Sequence, residues 1–500
     1  MNFCVSASVM KESDRLTIEG GVGGDILMQR AAQCVYDSVD WTCKKIYIVC
    51  GKGNNGGDGY ALACILAENG YDFCVFAVGE NRSSTSKIFV DKLYNLGVSA
   101  RDISQCDYDC DILVDCIFGV GFDRQVDSAT QKIFDSINES RAYVVSVDIP
   151  SGLNSDNGLG VDCVQADLTV AIQSLKRGHL LSYGKDKCGK VVVADIGIEI
   201  VGKREYIVDR EYCADCFAPR LNNTNKGSYG KSVIIGGCAQ YIGAVKLAQT
   251  GEAALRCGCG LNCVAVPSSL ADNLRNCVVD STIFPMASRD EHIIFDKPSL
   301  DRLVQSATAV AVGMGMGENF DDNRAVISYL LAHFDGSILI DADGLNSLQG
   351  YEYLLDDKVG SVVITPHPKE MSRLCGISVS EVLANPVCIA ENFAKEHNVV
   401  VLLKGTSSVV TDGQDTYIVT NGTPAQAKGG SGDVLSGVIV GLLARGIEPI
   451  KATATGAFIC ADSAKKASGK YGEYGTLASD CAREVGEVVR DLESIARGRE

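Results

Sequence analysis

The stretch "KKIYIVCGKGNNGGDGYALACILA" (residues 44–67) joins a β-branched apolar run to a helical pattern through a turn crowded with glycine. Strand, tight turn and helix in that order form the repeating unit of α/β sheets. In such a sheet ligands bind where strands end and helices begin, because helix N-termini offer unpaired N–H groups to anions. Gly51, Gly53, Gly56, Gly57 and Gly59 permit close backbone approach there. The spelling is not G-x-G-x-x-G, and no phosphate loop of the form G-x-x-x-x-G-K-[ST] occurs. Its nearest approach, "NKGSYGKS" (225–232), has Asn225 in place of the first glycine and precedes a strand.

Working outward, "DFCVFAV" (72–78), "CDILVDC" (110–116) and "AYVVSVDI" (142–149) read as further buried parallel strands with helical segments between them. The segment 209–226, with a Pro and a cluster of Asn and Thr, interrupts the alternation, and the domain boundary is expected there, dividing 1–212 from 213–500. The pattern then restarts at "KSVIIGG" (231–237) and continues through "LNCVAVP", "ATAVAVGMG", "GSILIDAD", "SVVITPH" and "NVVVLLKG" to apolar closing helices. The fold class is α/β: two three-layer α/β/α domains, the first Rossmann-like. Five hundred residues exceed one ordinary core, which agrees with two domains.

A net charge of −17 argues against nucleic acid and anionic membrane as partners, and no apolar run is long enough to span a bilayer. The start lacks the pattern of a signal peptide, so a cytoplasmic protein is expected. Among 22 cysteines, Cys213 and Cys216 form one C-x-x-C without a second pair at zinc-site spacing. Packing thiols, kept reduced, are the expectation.

Three strand ends of the first domain carry polar groups. Asn55 and Asp58 follow the first, Asp115 stands on the second in "ILVDCIFGVGFDR", and Asp148 and Ser151 on the third in "VDIPSG". Each alone would serve as a helix cap. Parallel neighbours bring all of them to one rim. The string "NNGGDG … VDCIFG.GF.R … VDIPSG", with the early helix "SDRLTIEGGVGGDILMQRAA" (13–32), resembles the NAD(P)H-hydrate epimerases. The resemblance implies that Asn54, Asn55, Gly56, Gly57 and Asp58 bind the hydrated dinucleotide. It implies the same contact for Gly119, Val120, Gly121, Phe122, Asp123, Arg124, Gln125 and Asp148. It also implies that Asn55, Asp115 and Ser151 hold potassium. Asp148, facing the expected nicotinamide position, is the candidate catalytic proton carrier.

A second glycine-rich helix start, "AKGGSGDVLSG" (427–437), places Asp433 beside N–H groups that can stabilise a transferring phosphoryl group. A helix-capping role is the plain alternative; catalysis is the better account of three preceding glycines. The region resembles the ribokinase-like fold, and within it the ADP-dependent NAD(P)H-hydrate dehydratases, through "DADGLN", "TPHPKEMSRL", "LLKGTSSVV" and "AKGGSGDVLSG" in order. The resemblance implies substrate contacts from Ala244, Gly315, His367 and Asp433. Nucleotide contacts are implied for Lys404, Gly405, Thr406, Ser407, Ser408 and Gly432, with magnesium accompanying ADP. In "VGMGMG" (312–317) methionines stand where the family often has Pro and Leu, which alters the stiffness of the turn at Gly315.

Together the resemblances imply a bifunctional enzyme. The first domain interconverts R and S epimers of NADH or NADPH hydrate; the second dehydrates the S epimer at the expense of ADP. A homo-oligomer is expected. Two rivals remain: a ribokinase-like vitamin or sugar kinase fused to a nucleotide-binding domain, and a non-catalytic dinucleotide sensor.

Overall fold

In the computed structural model, which describes residues 1–42, 44–79, 82–249 and 253–498, the chain divides into two units, Phe3–Glu205 and Tyr206–Glu500 with Met1–Asn2. Helix Arg210–Ala214, which straddles the expected division at 212/213, lies in the second.

The first unit holds a seven-stranded sheet, parallel throughout. Its order runs from Arg101–Asp102 through Phe73–Ala77, Ile46–Cys50, Ile112–Cys116, Tyr143–Val147 and Leu168–Ile172 to Lys190–Ala194. Chain order therefore reverses direction between Ile46–Cys50 and Ile112–Cys116. The connections leaving these two strands diverge to opposite faces, and the crevice between them is where an open α/β sheet binds its ligand. Helices Gly24–Asp37, Asn54–Glu68 and Ser84–Asn95 bury Val35, Tyr60, Leu62 and Phe89 against one face. Helix Ser128–Glu139 buries Phe134 and Ile137 against the other. This is the expected three-layer arrangement.

One expectation is corrected. The segment read as a single early helix (13–32) is the end of Ala7–Glu19 and the start of Gly24–Asp37, broken at Gly20–Gly23. Gly21 stands at φ 101°, a conformation that no continuing helix contains.

In the second unit, parallel strands run in the order Thr282–Met286, Leu261–Pro267, Lys231–Ile235, Ala309–Val312, Ser337–Ile340, Ser361–Ile364 and Val400–Leu403. Ser408–Thr411 and Thr416–Val419 then join antiparallel as a hairpin. Tyr206 and Ile207 pair parallel with Tyr417 and Ile418 and cover the hairpin's outer edge. Helices Ser431–Ala444, Pro449–Gly475 and Ala478–Arg497 supply Val438, Ile439, Phe458 and Val485 to the main core. The described cysteines are all free thiols, most of them buried, as their apolar neighbours in sequence imply. Among the described residues no helix is long and apolar enough to cross a membrane.

Candidate functional site

At the crevice of the first unit lies a cavity of about 640 Å³, lined by Asn54, Asn55, Asp58, Gly119, Val120, Gly121, Phe122, Asp123, Arg124 and Asp148. Most residues expected from sequence thus meet in one place. Gly56, Gly57 and Gln125 lie outside its lining. Both glycines are closely packed. A Cβ on Gly56 would stand 2.1 Å from the Gly51 carbonyl oxygen, and one on Gly57 2.5 Å from both Met28 Cε and Ser86 Oγ.

Asp115, fully buried, accepts from Ser146 Oγ (2.9 Å), Ser151 N (2.9 Å), Ser151 Oγ (2.5 Å) and Ile117 N (3.2 Å). Burial still pushes its pKa up, against the pull of these donors. Asn55 Nδ2 donates to the Phe118 carbonyl at 2.8 Å, and the Phe118 amide donates to Ser151 Oγ at 2.8 Å. Asn55 Oδ1 is buried with no hydrogen-bond partner. An orphaned amide oxygen, a carboxylate and a hydroxyl drawn into one network form a hard, all-oxygen donor set that suits an alkali or alkaline-earth cation. The residues therefore fit the potassium implied by resemblance.

Asp148 is held at φ 71° by its own amide, which donates to Val170 O at 2.8 Å. A left-handed aspartate at a strand end is strained, and such strain gathers at functional positions. Its carboxylate pairs with the Lys176 ammonium and accepts from the Val120 amide at 2.9 Å. Lys176 is 1% exposed and also donates to the Ile172 carbonyl at 2.7 Å. Burial would raise the Asp148 pKa, but the Lys176 charge and these donors bring it below the ordinary carboxylate value. His179 Nδ1 accepts from the Lys176 amide at 2.9 Å, and its Nε2 lies 2.8 Å from the Asp148 carbonyl. Burial lowers its pKa to about 4, with help from Lys176, so the ring is neutral and Nε2 is the donor. Lys176 and His179 were missed in sequence. The signal was a lysine and a histidine just beyond the apolar run "LTVAI", a place where a solvated surface would be the ordinary reading.

The second unit gathers its site around an ion pair between a buried aspartate and a half-buried lysine. Lys404 Nζ donates to Asp341 Oδ1 at 2.7 Å, and Ser436 Oγ donates to Asp341 Oδ2 at 2.7 Å. Gly430, at φ 95°, starts helix Ser431–Ala444. A Cβ on Gly432 would stand 3.4 Å from Lys404 Nζ, so the glycine loop and this ammonium face each other. Asp433 is raised to about 7 by burial and by the Asp341 charge, against Lys404. Such a carboxylate is poised for proton exchange near neutrality. Glu370 is likewise raised to about 7, chiefly by burial.

His367 caps helix Pro368–Cys375: its Nδ1 accepts from the Lys369 and Glu370 amides at 3.1 and 3.2 Å. It is thus a cap by geometry, and the Lys404 and Asp341 charges act on its titration after burial. Gly315 stands at φ 63° against Ala244, whose Cβ a side chain there would meet at 2.9 Å. Gly313 and Gly317 also have positive φ, and Met314 and Met316 are buried between them. The unusual methionines therefore anchor the turn in the core. Gly317 N donates to Asp343 Oδ2 at 2.8 Å, which ties this turn to the "DADGLN" segment. In the nucleotide stretch after strand Val400–Leu403, Gly405 and Thr406 are exposed, Ser407 is buried, and Ser408 begins the next strand. Asp341 and Glu370 carried no role in the sequence reading, because neither stands beside the glycine loop in the chain.

Residues 232–486 match the family described as NAD(P)H-hydrate dehydratase, and residues 24–178 the family described as YjeF-related protein N-terminus. The chain is 32% identical to the bifunctional NAD(P)H-hydrate repair enzyme of Moorella thermoacetica, covering 98% of this chain and 97% of that one. It is 30% identical to the enzyme of the same name from Escherichia coli, covering 93% and 89%. Among solved structures, a ribokinase-like superfamily protein from Enterococcus faecalis matches at TM-score 0.50 and 20% identity, over 58% of this chain and 96% of that one. That likeness concerns the fold.

Proposed function

The chain belongs to the bifunctional NAD(P)H-hydrate repair enzymes, and from that premise we propose how its two sites divide the work. Residues 1–212 are assigned to epimerisation and 213–500 to dehydration. The observation that carries this division is a contrast between two carboxylates. Asp148 is kept ionised by Lys176, whereas Asp433 titrates near neutrality beside Lys404 and a glycine loop. The first suits a permanent base; the second suits a base that accepts a proton as phosphoryl transfer proceeds.

In the second site Asp433 takes the proton from the C6 hydroxyl of the S hydrate as that oxygen attacks the terminal phosphorus of ADP, taken as its magnesium complex. AMP leaves. Lys404 and the amides of Gly430 to Gly432 hold the phosphoryl oxygens, with Gly405 to Ser408 on the rest of the nucleotide. Loss of phosphate from C6 and of a proton from C5 restores the dihydronicotinamide. In the first site Asp148 exchanges protons with the hydrate, and Lys176 and His179 keep its carboxylate fixed and charged. Potassium would be held by Asn55, Asp115 and Ser151. When bound it supplies a positive charge that favours an anionic dinucleotide. We place the protein in the cytoplasm, as a homo-oligomer acting on small molecules.

The function is tested by incubating the protein with mixed R and S hydrates of NADH, with and without ADP, and following the absorbance of the reduced nicotinamide. Full recovery that requires ADP is expected. Accumulation of a stable phosphorylated product would favour a vitamin or sugar kinase, and tight binding without turnover a sensor. The ion site has its own readout. Potassium, compared with choline at equal ionic strength, is expected to raise the unfolding temperature of the first unit. A ligand at 100 times its dissociation constant stabilises by about 2.7 kcal/mol. Asn55→Ala should abolish the potassium-specific increment; an equal increment in the variant would remove Asn55 from the site.

A further inference from the structure

The carboxylates of the first site are more numerous than its buried cations. Asp14 from helix Ala7–Glu19, Asp58 from helix Asn54–Glu68 and Asp148 from a strand end all line the same cavity. The fully buried ammonium of Lys176 is committed to Asp148 and the Ile172 carbonyl. Asp148 is further held by backbone amides, whereas Asp58 accepts no hydrogen bond from the described residues. Among carboxyl groups that share one cavity wall, one with neither a buried counter-charge nor a hydrogen-bond donor is the least favoured to ionise, and Asp58 keeps its proton. Two carboxyl groups of opposite protonation state therefore face one ligand space from different elements.

Resting on the epimerase reading above, we propose that Asp58 is the general acid of that site, protonating the ring nitrogen of the hydrate while Asp148 removes the proton of its C6 hydroxyl. Epimerisation then runs through reversible opening of the ring. C6 of the hydrate carries both the hydroxyl and N1, so inversion there requires one of those bonds to break. The Asp148 carboxylate takes the hydroxyl proton, C6=O forms, and the C6–N1 electron pair passes to nitrogen, which takes the Asp58 proton. Rotation about C5–C6 presents the other face of the aldehyde. The N–H then adds to that face, Asp58 recovers its proton, and Asp148 returns one to the oxygen. Both carboxyl groups end as they began, and no oxidant, reductant or co-reactant is consumed.

The titration pattern agrees with this assignment. Asp58 is driven well above the ordinary carboxylate value by burial, then by the charges of Asp148 and Asp14, with Lys176 opposing. Asp14 is itself raised by burial. The other charged and titratable neighbours are Lys11, Lys52, Asp123, Arg124 and Asp127 on the cavity wall and the buried thiols of Cys50 and Cys116, which burial keeps protonated. An acid that must be protonated loses function as pH rises through its pKa, so Asp58 sets the alkaline limb of the epimerase profile. Asp148, which must be ionised, sets the acid limb.

The experiment uses the full chain without ADP, separating R and S hydrates over time and subtracting the spontaneous rate. Asp58→Asn should lower kcat for epimerisation on the order of 10²–10⁴-fold, with little change in hydrate affinity measured by titration, and should erase the alkaline limb. Asp14→Asn, which removes a neighbouring negative charge, should move that limb to lower pH. In water enriched in ¹⁸O the hydroxyl oxygen should be retained through epimerisation, because the C–O bond never breaks. Near-normal kcat in Asp58→Asn, an unmoved alkaline limb in both variants, or label uptake at every inversion would overturn the assignment. A wild-type protein that fails to epimerise would instead remove the epimerase reading itself.

Discussion

Replacing Asp433 by Asn is expected to lower ADP-dependent dehydration of the S hydrate by about 10²–10⁴-fold while leaving ADP affinity nearly unchanged. The substitution keeps the size of the side chain and the glycine loop around it, and removes only the ability to accept a proton. The same residue sets a pH signature. Burial and the Asp341 charge hold Asp433 at about 7, and a base works only when ionised. The wild-type dehydration rate should therefore fall as pH drops through about 7, and the residual rate of Asp433→Asn should lack that fall. Steady-state rates of nicotinamide recovery from pure S hydrate check both. A variant with near-normal rate would show that Asp433 merely caps its helix. Epimerisation, followed separately, should persist in this variant.

Asp148→Ala is expected to have the complementary effect. With equal amounts of the two hydrates and excess ADP, recovery should show a fast phase of roughly half the normal amplitude, then only the slow spontaneous conversion of R to S. The structure adds a cost to this substitution. Lys176 would be left buried without its partner, and breaking a buried pair typically costs about 3–5 kcal/mol. Asp148→Asn, which keeps a polar group against Lys176, should reproduce the kinetics with less loss of stability. Complete recovery at the normal rate in both variants would reduce Asp148 to a structural aspartate. Loss of both phases would mean that the two activities share one site.

Much of this was legible in the sequence because it depends on short-range order. Alternating apolar strands and helices made the parallel sheets readable, and glycines at helix starts marked both sites. Asp115 and Asp148 stood out because parallel neighbours bring them to one rim, where each alone would read as a helix cap. What stayed hidden depends on contacts between distant segments. Lys176 reaches Asp148 across 28 residues, and Lys404 reaches Asp341 across 63, so no local pattern announces either pair. Gly56 and Gly57 also carry a packing demand that the sequence does not separate from a ligand contact, because both call for glycine. The early segment reads as one helix as part of the resemblance, although the glycines of "GGVGG" (20–24) are the local signal of its break.

The strand formed by Tyr206 and Ile207 has a consequence for how the second unit is made. Its partners, Tyr417 and Ile418, are synthesised about two hundred residues later, so the sheet's margin stays open through most of translation. Contacts so far apart in the chain are slow to form, and unpaired strand margins invite association with other chains. Folding of this unit should thus be completed late, on release from the ribosome, when the hairpin and the final helices arrive together. A chain cut short before residue 416 would expose Val409 and Val410, normally enclosed between their neighbours, on an open edge, and we expect such fragments to precipitate or to need a chaperone.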